Sequence, residues 1–387
     1  MEIQLENLKV AVCHYWLLSY RGGERVLREI LRIFPQADIY TLFEEPGMVQ
    51  EHFGKHQCFS PPFNNTLTRK YYQLLFPLYP LFVKSLKLKH KYDLIISSES
   101  GPIKGIPNPD GIPHICYIHS PMRYCHGMMQ EYLDEIPERL RLPAKWSFEA
   151  LRKWDLKTKD QPGLYIANSE NVRNRVRKFY SRESKLIHPP VGEHFLLEAL
   201  ANSQELYAKR NDLRYVYLGA ITPYKNLRNL IKQFNQNRKN LTIMGHGKSL
   251  DELKELAEKN INFVTNFDES QKIQALKTAS ALIFPQEEDF GIVPLEAMAL
   301  GTPVIALAKG GALETVKENK DDLSEATGLF FQNTDCSDLT DTLEEFERCQ
   351  HLFQPEKIRK HVEKFREEYF RQSFRQHTID FLTGKTT

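Results

Sequence analysis

The amino-acid sequence predicts an α/β protein made of two doubly wound domains. Three observations carry this. The chain has 387 residues, and a single hydrophobic core usually stops growing at roughly 250–300. Short apolar runs alternate with longer amphipathic ones along its whole length. Most of the short runs are nearly continuous in Val, Ile, Leu and aromatics, as in parallel strands covered on both faces.

The elements follow in order. In the first half, strands are expected at 10–15, 39–43, 94–97, 114–119 and 164–168. In the second half they are expected at 215–219, 241–245, 261–264, 281–284, 304–307 and 329–331. Helical periodicity lies between them, for example at 23–34, 250–259, 270–278 and 295–300. Strand–helix alternation of this kind is the pattern of doubly wound sheets. The adjacent prolines in Ile187-His-Pro-Pro-Val-Gly192 force an extended link, and the series restarts at Tyr215. The junction is therefore placed there, giving domains at 1–188 and 189–365. Beyond Pro355, Ile358, Val362, Phe365, Tyr369 and Phe370 recur at helical spacing. They predict one long charged helix whose end, about 366–387, packs back on the first domain.

Composition narrows the function. Charged residues make up 26% of the chain and the net charge is +2, so no overall bias toward nucleic acid exists. The six cysteines form no CxxC pair and match no common zinc spacing. They read as free thiols of a reducing compartment. No leader-like N-terminus and no spanning apolar run is seen, so a cytoplasmic location is expected, with room for peripheral attachment to the inner face of a membrane. Asp321-Asp322 is an adjacent pair in an expected surface loop, and no metal site is expected.

The chemistry concentrates in Phe284-Pro-Gln-Glu-Glu-Asp-Phe-Gly-Ile-Val-Pro-Leu-Glu-Ala-Met-Ala-Leu-Gly301. A strand ends at Phe284, a loop with Gly291 follows, and a helix is expected to begin near Pro294. That helix N-terminus would point backbone N–H groups at the crevice above the sheet, where phosphate is favoured. Glu288 lies in the loop and Glu296 one turn into the helix, so the two can reach opposite ends of one extended ligand. An ionised carboxylate only accepts hydrogen bonds, which suits a ribose diol at Glu296 and sugar hydroxyls at Glu288.

This segment resembles the E-x7-E motif of family-4 glycosyltransferases, enzymes of the GT-B fold with two Rossmann-like domains facing across a cleft. The resemblance implies that Glu296 binds the nucleotide ribose. It also implies that Gly291, Ile292 and Val293 give backbone amides to the diphosphate, and that Glu288 contacts the donor sugar. Leu218-Gly-Ala-Ile-Thr-Pro-Tyr-Lys225 resembles the family's phosphate-binding segment, with Lys225 as its lysine. Ala220 stands where the family commonly has an arginine, so one cation is missing, and Arg21 is a candidate to supply a second. Gly245, in Met244-Gly-His-Gly247, matches the glycine turn after the second strand, and Val264 the edge that lines the base.

In the first domain, Arg21-Gly22-Gly23-Glu24 opens a helix after the first strand. The resemblance places Gly22 and Gly23 over the donor phosphate and acceptor. His119 follows a strand, and its residue type suits proton or hydroxyl handling. The resemblance puts it on the transferred sugar, and His119-Ser-Pro-Met-Arg-Tyr124 is similar to bacterial mannosyltransferases that use GDP-mannose. The expectation is a retaining, metal-independent transfer to a glycan or lipid-linked acceptor in polysaccharide or glycolipid synthesis. The nucleotide-sugar is then the small-molecule partner, with no cofactor. A UDP-sugar-dependent enzyme, a phosphorylase or hydrolytic relative, and a non-catalytic partner subunit are the alternatives. Residues 68–92 mix aromatics and leucines with Arg69, Lys70, Lys84, Lys87, Lys89 and Lys91, interrupted by Pro77 and Pro80. They fit either a contact with anionic membrane or short helices packed on the domain with a solvated basic end.

Overall fold

A computed structural model describes residues 4–201 and 213–385, the side chains of 199–201 excepted. The chain divides into an N-terminal unit, residues 1–190 with 368–387, and a C-terminal unit, residues 191–367.

The N-terminal unit holds a seven-stranded parallel sheet. Its strands are β1 (Val10–His14), β2 (Asp38–Thr41), β3 (Cys58–Phe59), β4 (Leu94–Glu99), β5 (His114–Ile118), β6 (Leu164–Ala167) and β7 (Lys185–Leu186). They run in the order β3-β2-β1-β4-β5-β6-β7. Every residue of β1, β4 and β5 is buried, which is why these strands read as unbroken apolar runs. Strands β3 and β7 escape the sequence reading because each is a two-residue edge strand, half-buried and without an apolar run.

The C-terminal unit holds a six-stranded parallel sheet, ordered β10-β9-β8-β11-β12-β13. Its strands are β8 (Tyr215–Leu218), β9 (Leu241–Met244), β10 (Ile261–Val264), β11 (Ala281–Phe284), β12 (Val304–Leu307) and β13 (Gly328–Phe331). In both sheets the strand order turns back on itself once, between β1 and β4 and between β8 and β11. A single core from Val191 to Phe365 fills this unit, while the clusters of the N-terminal unit draw on no residue of that range.

The expectation of one long helix after Pro355 is corrected. Helix Pro355–Val362 ends in a 3₁₀ turn, Glu363–Phe365, and a new helix, Glu367–Leu382, begins. The break separates two cores that one helical stripe had joined. Phe365 is buried in the C-terminal unit, whereas Phe370 and Phe374 are buried in the N-terminal one. Tyr369, counted in the same stripe, is exposed. Val191 N–H donates to the Phe365 carbonyl at 2.8 Å, so the outgoing and returning chain are tied together beside the two crossings.

One polar cluster lies inside the N-terminal unit. Lys104 and Asp155, both fully buried, form an ion pair. His126 and the Tyr180 hydroxyl each reach Asp155 Oδ2 at 2.8 Å. Asp155 therefore remains a carboxylate despite its burial.

Candidate functional site

In the C-terminal unit, β8 and β11 are neighbours at the point where strand order reverses. Open parallel sheets bind ligands beyond the strand ends at such a point. The chain after β8 passes through residues 219–222 into the 3₁₀ turn Pro223–Lys225 and then helix Leu227–Asn237. The chain after β11 forms the loop 285–291. These segments are joined by side chains. Lys225 Nζ donates to Glu288 Oε1, and Gln286 Nε2 donates to the same oxygen at 3.0 Å. Asn226, at φ 61°, donates from Nδ2 to the carbonyls of Pro285 (2.9 Å) and Thr334 (2.7 Å). Two residues 63 positions apart in sequence, Lys225 and Glu288, thus meet at the switch point.

The Glu288 loop is braced from behind. Gly311 N–H donates to the Glu288 carbonyl at 2.9 Å. A Cβ at Gly310 would lie 2.3 Å from that carbonyl, and one at Gly311 would lie 2.2 Å from the Phe290 Cα. Backbone meets backbone at both places, so only glycine fits.

Helix Ile292–Ala299 starts two residues earlier than expected, with Gly291 at φ 85° as its N-cap and Pro294 inside the first turn. Gly291 has no side chain with which to cap this end, and the first turn holds no acid. The N–H groups of Ile292 and Val293 belong to that first turn, where no intrahelical acceptor exists. Glu296, on the same helix, is 2% exposed. Its Oε2 lies 2.9 Å from Lys272 Nζ, contributed by helix Glu269–Thr278. Lys272 is itself buried, 4.7 Å over the Phe195 ring.

Gly245 and Val264 lie together at the same ends of the strands. The Gly245 N–H donates to the Val264 carbonyl at 3.0 Å. A Cβ at Gly245 would sit 1.9 Å from the Gly219 carbonyl, so the turns after β8 and β9 touch through backbone. Ala220 presents no cation, and its carbonyl accepts from the Tyr217 hydroxyl at 3.0 Å.

In the N-terminal unit, β1 ends at His14, and helix Gly22–Ile33 starts beside it. Buried Glu24 accepts from the Arg21 N–H at 2.8 Å and lies 3.4 Å from His14 Nε2. It pins the Gly22-Gly23 turn to the strand end. Gly23 sits so close to the Tyr15 hydroxyl that a Cβ there would lie 2.5 Å from it. His119 follows β5, its N–H donating to the Glu99 carbonyl at 2.7 Å, and its Nε2 is 2.9 Å from Ser98 Oγ. Burial, and then the nearby His14, hold its pKa at about 3, so the ring is neutral at physiological pH.

Several residues escape the sequence reading. Lys272, Asn226, Gly310 and Gly311 lie outside the motif and act on it only through the fold. Glu24 carried a usable signal, a glutamate at the third helical position reaching back to the N-cap N–H.

Residues 198–367 match the family described as glycosyl transferases group 1. The alpha-1,3/1,6-mannosyltransferase ALG2 of Kluyveromyces lactis is 32% identical over 174 residues, 42% of this chain and 34% of that protein. The same-named protein of Eremothecium gossypii is 39% identical over 89 residues, 23% of this chain and 17% of that protein. The chain thus spans about a third or less of these relatives. Among solved structures, sucrose-phosphate synthase from Thermosynechococcus elongatus superposes with a TM-score of 0.70 at 17% identity, over 98% of this chain and 100% of that one. Anabaena HepE in complex with UDP superposes at 0.66 and 16%, over 96% and 99%. At such identities the likeness establishes the fold.

Proposed function

We propose that the chain, whose residues 198–367 match the group 1 glycosyltransferases and which has the GT-B fold, moves a hexose from a nucleotide-sugar to a glycan or lipid-linked acceptor. The meeting of Lys225 and Glu288 at the β8–β11 switch point carries this reading. An ammonium has three N–H donors, so Lys225 can hold Glu288 and still offer donors to a diphosphate. The start of helix Ile292–Ala299 adds backbone donors for the same charge. Fixed donors aimed at a leaving diphosphate favour the transition state, where its charge grows. Glu296, held by Lys272, accepts from the ribose diol, while Gly245 and Val264 border the base. Glu288 accepts from hydroxyls of the donor sugar.

His119 acts as a neutral hydrogen-bonding group for a sugar hydroxyl and takes no proton at neutral pH. The acceptor proton passes to the leaving phosphate on the same face, which retains configuration and needs no protein base. The C-terminal unit holds the donor and the N-terminal unit the acceptor. The donor is GDP-mannose and the reaction needs no metal. The partial matches to mannosyltransferases support mannose. The UDP complex of HepE favours a second reading, a UDP-sugar donor.

The test is release of GDP from GDP-mannose by the purified chain in EDTA, with and without a mannosyl-glycan or polyprenyl-linked acceptor. Acceptor-dependent release, and a product whose anomeric NMR signal matches the donor's α configuration, are expected. Release from UDP-sugars alone would replace the donor. Release without acceptor would reassign the chain as a hydrolase.

A further inference from the structure

The N-terminal unit also carries a surface formed by residues that the donor site described above does not include. Between Glu51 and Asp93 the sequence contains no Asp or Glu, yet it contains seven Lys and Arg, in a chain whose net charge is only +2. The middle of this acid-free stretch folds as helix Thr66–Lys70, the 3₁₀ helix Tyr72–Leu78 and helix Tyr79–Ser85. Two apolar stripes run along it. The inner one, with Tyr72, Phe76, Tyr79 and Val83, packs into the unit's core. The outer one, Leu67, Tyr71, Leu74, Leu78 and Leu81, recurs every three or four residues and is exposed. Leu74 is 71% accessible, Leu67 66% and Leu81 64%.

The neighbouring helix Glu138–Thr158, which packs on this segment through Phe148 against Phe76 (4.6 Å between rings), adds exposed Leu140, Leu142 and Trp146. Among the described residues, the N-terminal unit has nine exposed large apolar side chains, and all but Tyr369 belong to these two segments. Monomeric proteins rarely leave such side chains together without a use. The charges indicate what covers them. Lys70, Lys84, Lys87, Lys89 and Lys91 are all exposed, with Lys70 over the Tyr71 ring at 5.4 Å, and Arg69 is drawn aside to Glu45 at 3.1 Å. Exposed leucines, followed in the chain by exposed lysines with no carboxylate in the stretch, match the boundary of an anionic bilayer. The leucines enter among acyl chains while the ammonium groups meet lipid phosphates. No helix among the described residues is long and apolar enough to cross a membrane, so contact is in the plane of the surface.

We propose that residues 66–91 form a docking surface for anionic membrane, with Leu67, Leu74, Leu78 and Leu81 inserting and the exposed lysines binding phosphate headgroups. The proposal stands on its own, whatever donor the C-terminal unit takes. It is tested by flotation of the full chain with phosphatidylcholine vesicles, alone or containing phosphatidylglycerol. Two variants are compared, Leu74→Ser/Leu78→Ser/Leu81→Ser and Lys84→Gln/Lys87→Gln/Lys89→Gln. All six positions lie on the surface, and an unchanged melting temperature of the protein alone verifies the fold. The wild type should float with phosphatidylglycerol vesicles and not with neutral ones. Each variant should lose at least about tenfold in partitioning, and added salt should weaken the wild type. Equal flotation of variants and wild type would overturn the proposal. So would indifference to lipid charge, or a concentration-dependent dimer in light scattering that only the leucine variant abolishes.

Discussion

At the scale of single residues, what matters is where protons and charges are held. His119 and His114 are both kept at a pKa of about 3. Burial is the main cause in each, with His14 adding for the first and Lys104 for the second. In the unfolded chain both imidazoles protonate below 6.5. Between about 3 and 6.5 the unfolded state therefore binds more protons, so stability rises with pH across that window and is lost as pH falls through it. His119→Asn keeps a polar partner for Ser98 and removes one of these groups. Its denaturation midpoint should fall less between about pH 7 and about pH 5 than the wild type's. An unchanged difference would mean that His119 titrates normally in the folded protein.

At the scale of elements, the legible parts were those with a local signal. Buried central strands announce themselves as apolar runs, and the loop–helix segment from Phe284 to Gly301 spells out its motif. What a distant element supplies has no such signal. Lys272 sits among ordinary helix residues, and only folding brings its Nζ to within 2.9 Å of Glu296. Gly310 and Gly311 look like any turn until the backbone of residues 288–290 is placed against them. The two-residue strands β3 and β7 were illegible for a related reason, since their pairing is decided by the neighbouring strand.

Lys272 is a positioning residue in this account, because it acts through Glu296. Lys272→Met should leave a buried carboxylate without its cation, at a cost of about 3 kcal/mol in stability. It should also weaken nucleotide binding about tenfold, seen by calorimetry as a higher Kd and in kinetics as a higher KM with kcat little changed. The double variant Lys272→Met/Glu296→Gln should recover stability and not affinity. Recovery of both would reduce Lys272 to a packing role.

At the scale of the whole molecule, the chain crosses between its units twice, near Pro190 and near Glu367. The helical spacing beyond Pro355 gave the existence of an amphipathic C-terminus but not its division, since apolar residues serving two cores produce one continuous stripe. Phe374 is fully buried in the N-terminal unit, and all three tryptophans, Trp16, Trp146 and Trp154, belong to that unit as well. Tryptophan fluorescence therefore reports the unit that the last helix completes. Phe374→Ala should lower the stability seen by that probe by about 3–5 kcal/mol, a typical loss for emptying a buried phenylalanine site. No change would mean that the last helix is not part of the core.

The central claim is that Lys225, Glu288 and the start of helix Ile292–Ala299 receive the diphosphate of a nucleotide-sugar. The most direct measurement is calorimetric binding of GDP, GDP-mannose, UDP and ADP to the wild type and to Lys225→Ala. GDP and GDP-mannose should bind the wild type, and the variant should lose roughly ten- to a hundredfold in affinity for both, as expected for removal of one charge-assisted contact. A folded protein that binds none of these nucleotides, or binds them equally well without Lys225, would contradict it.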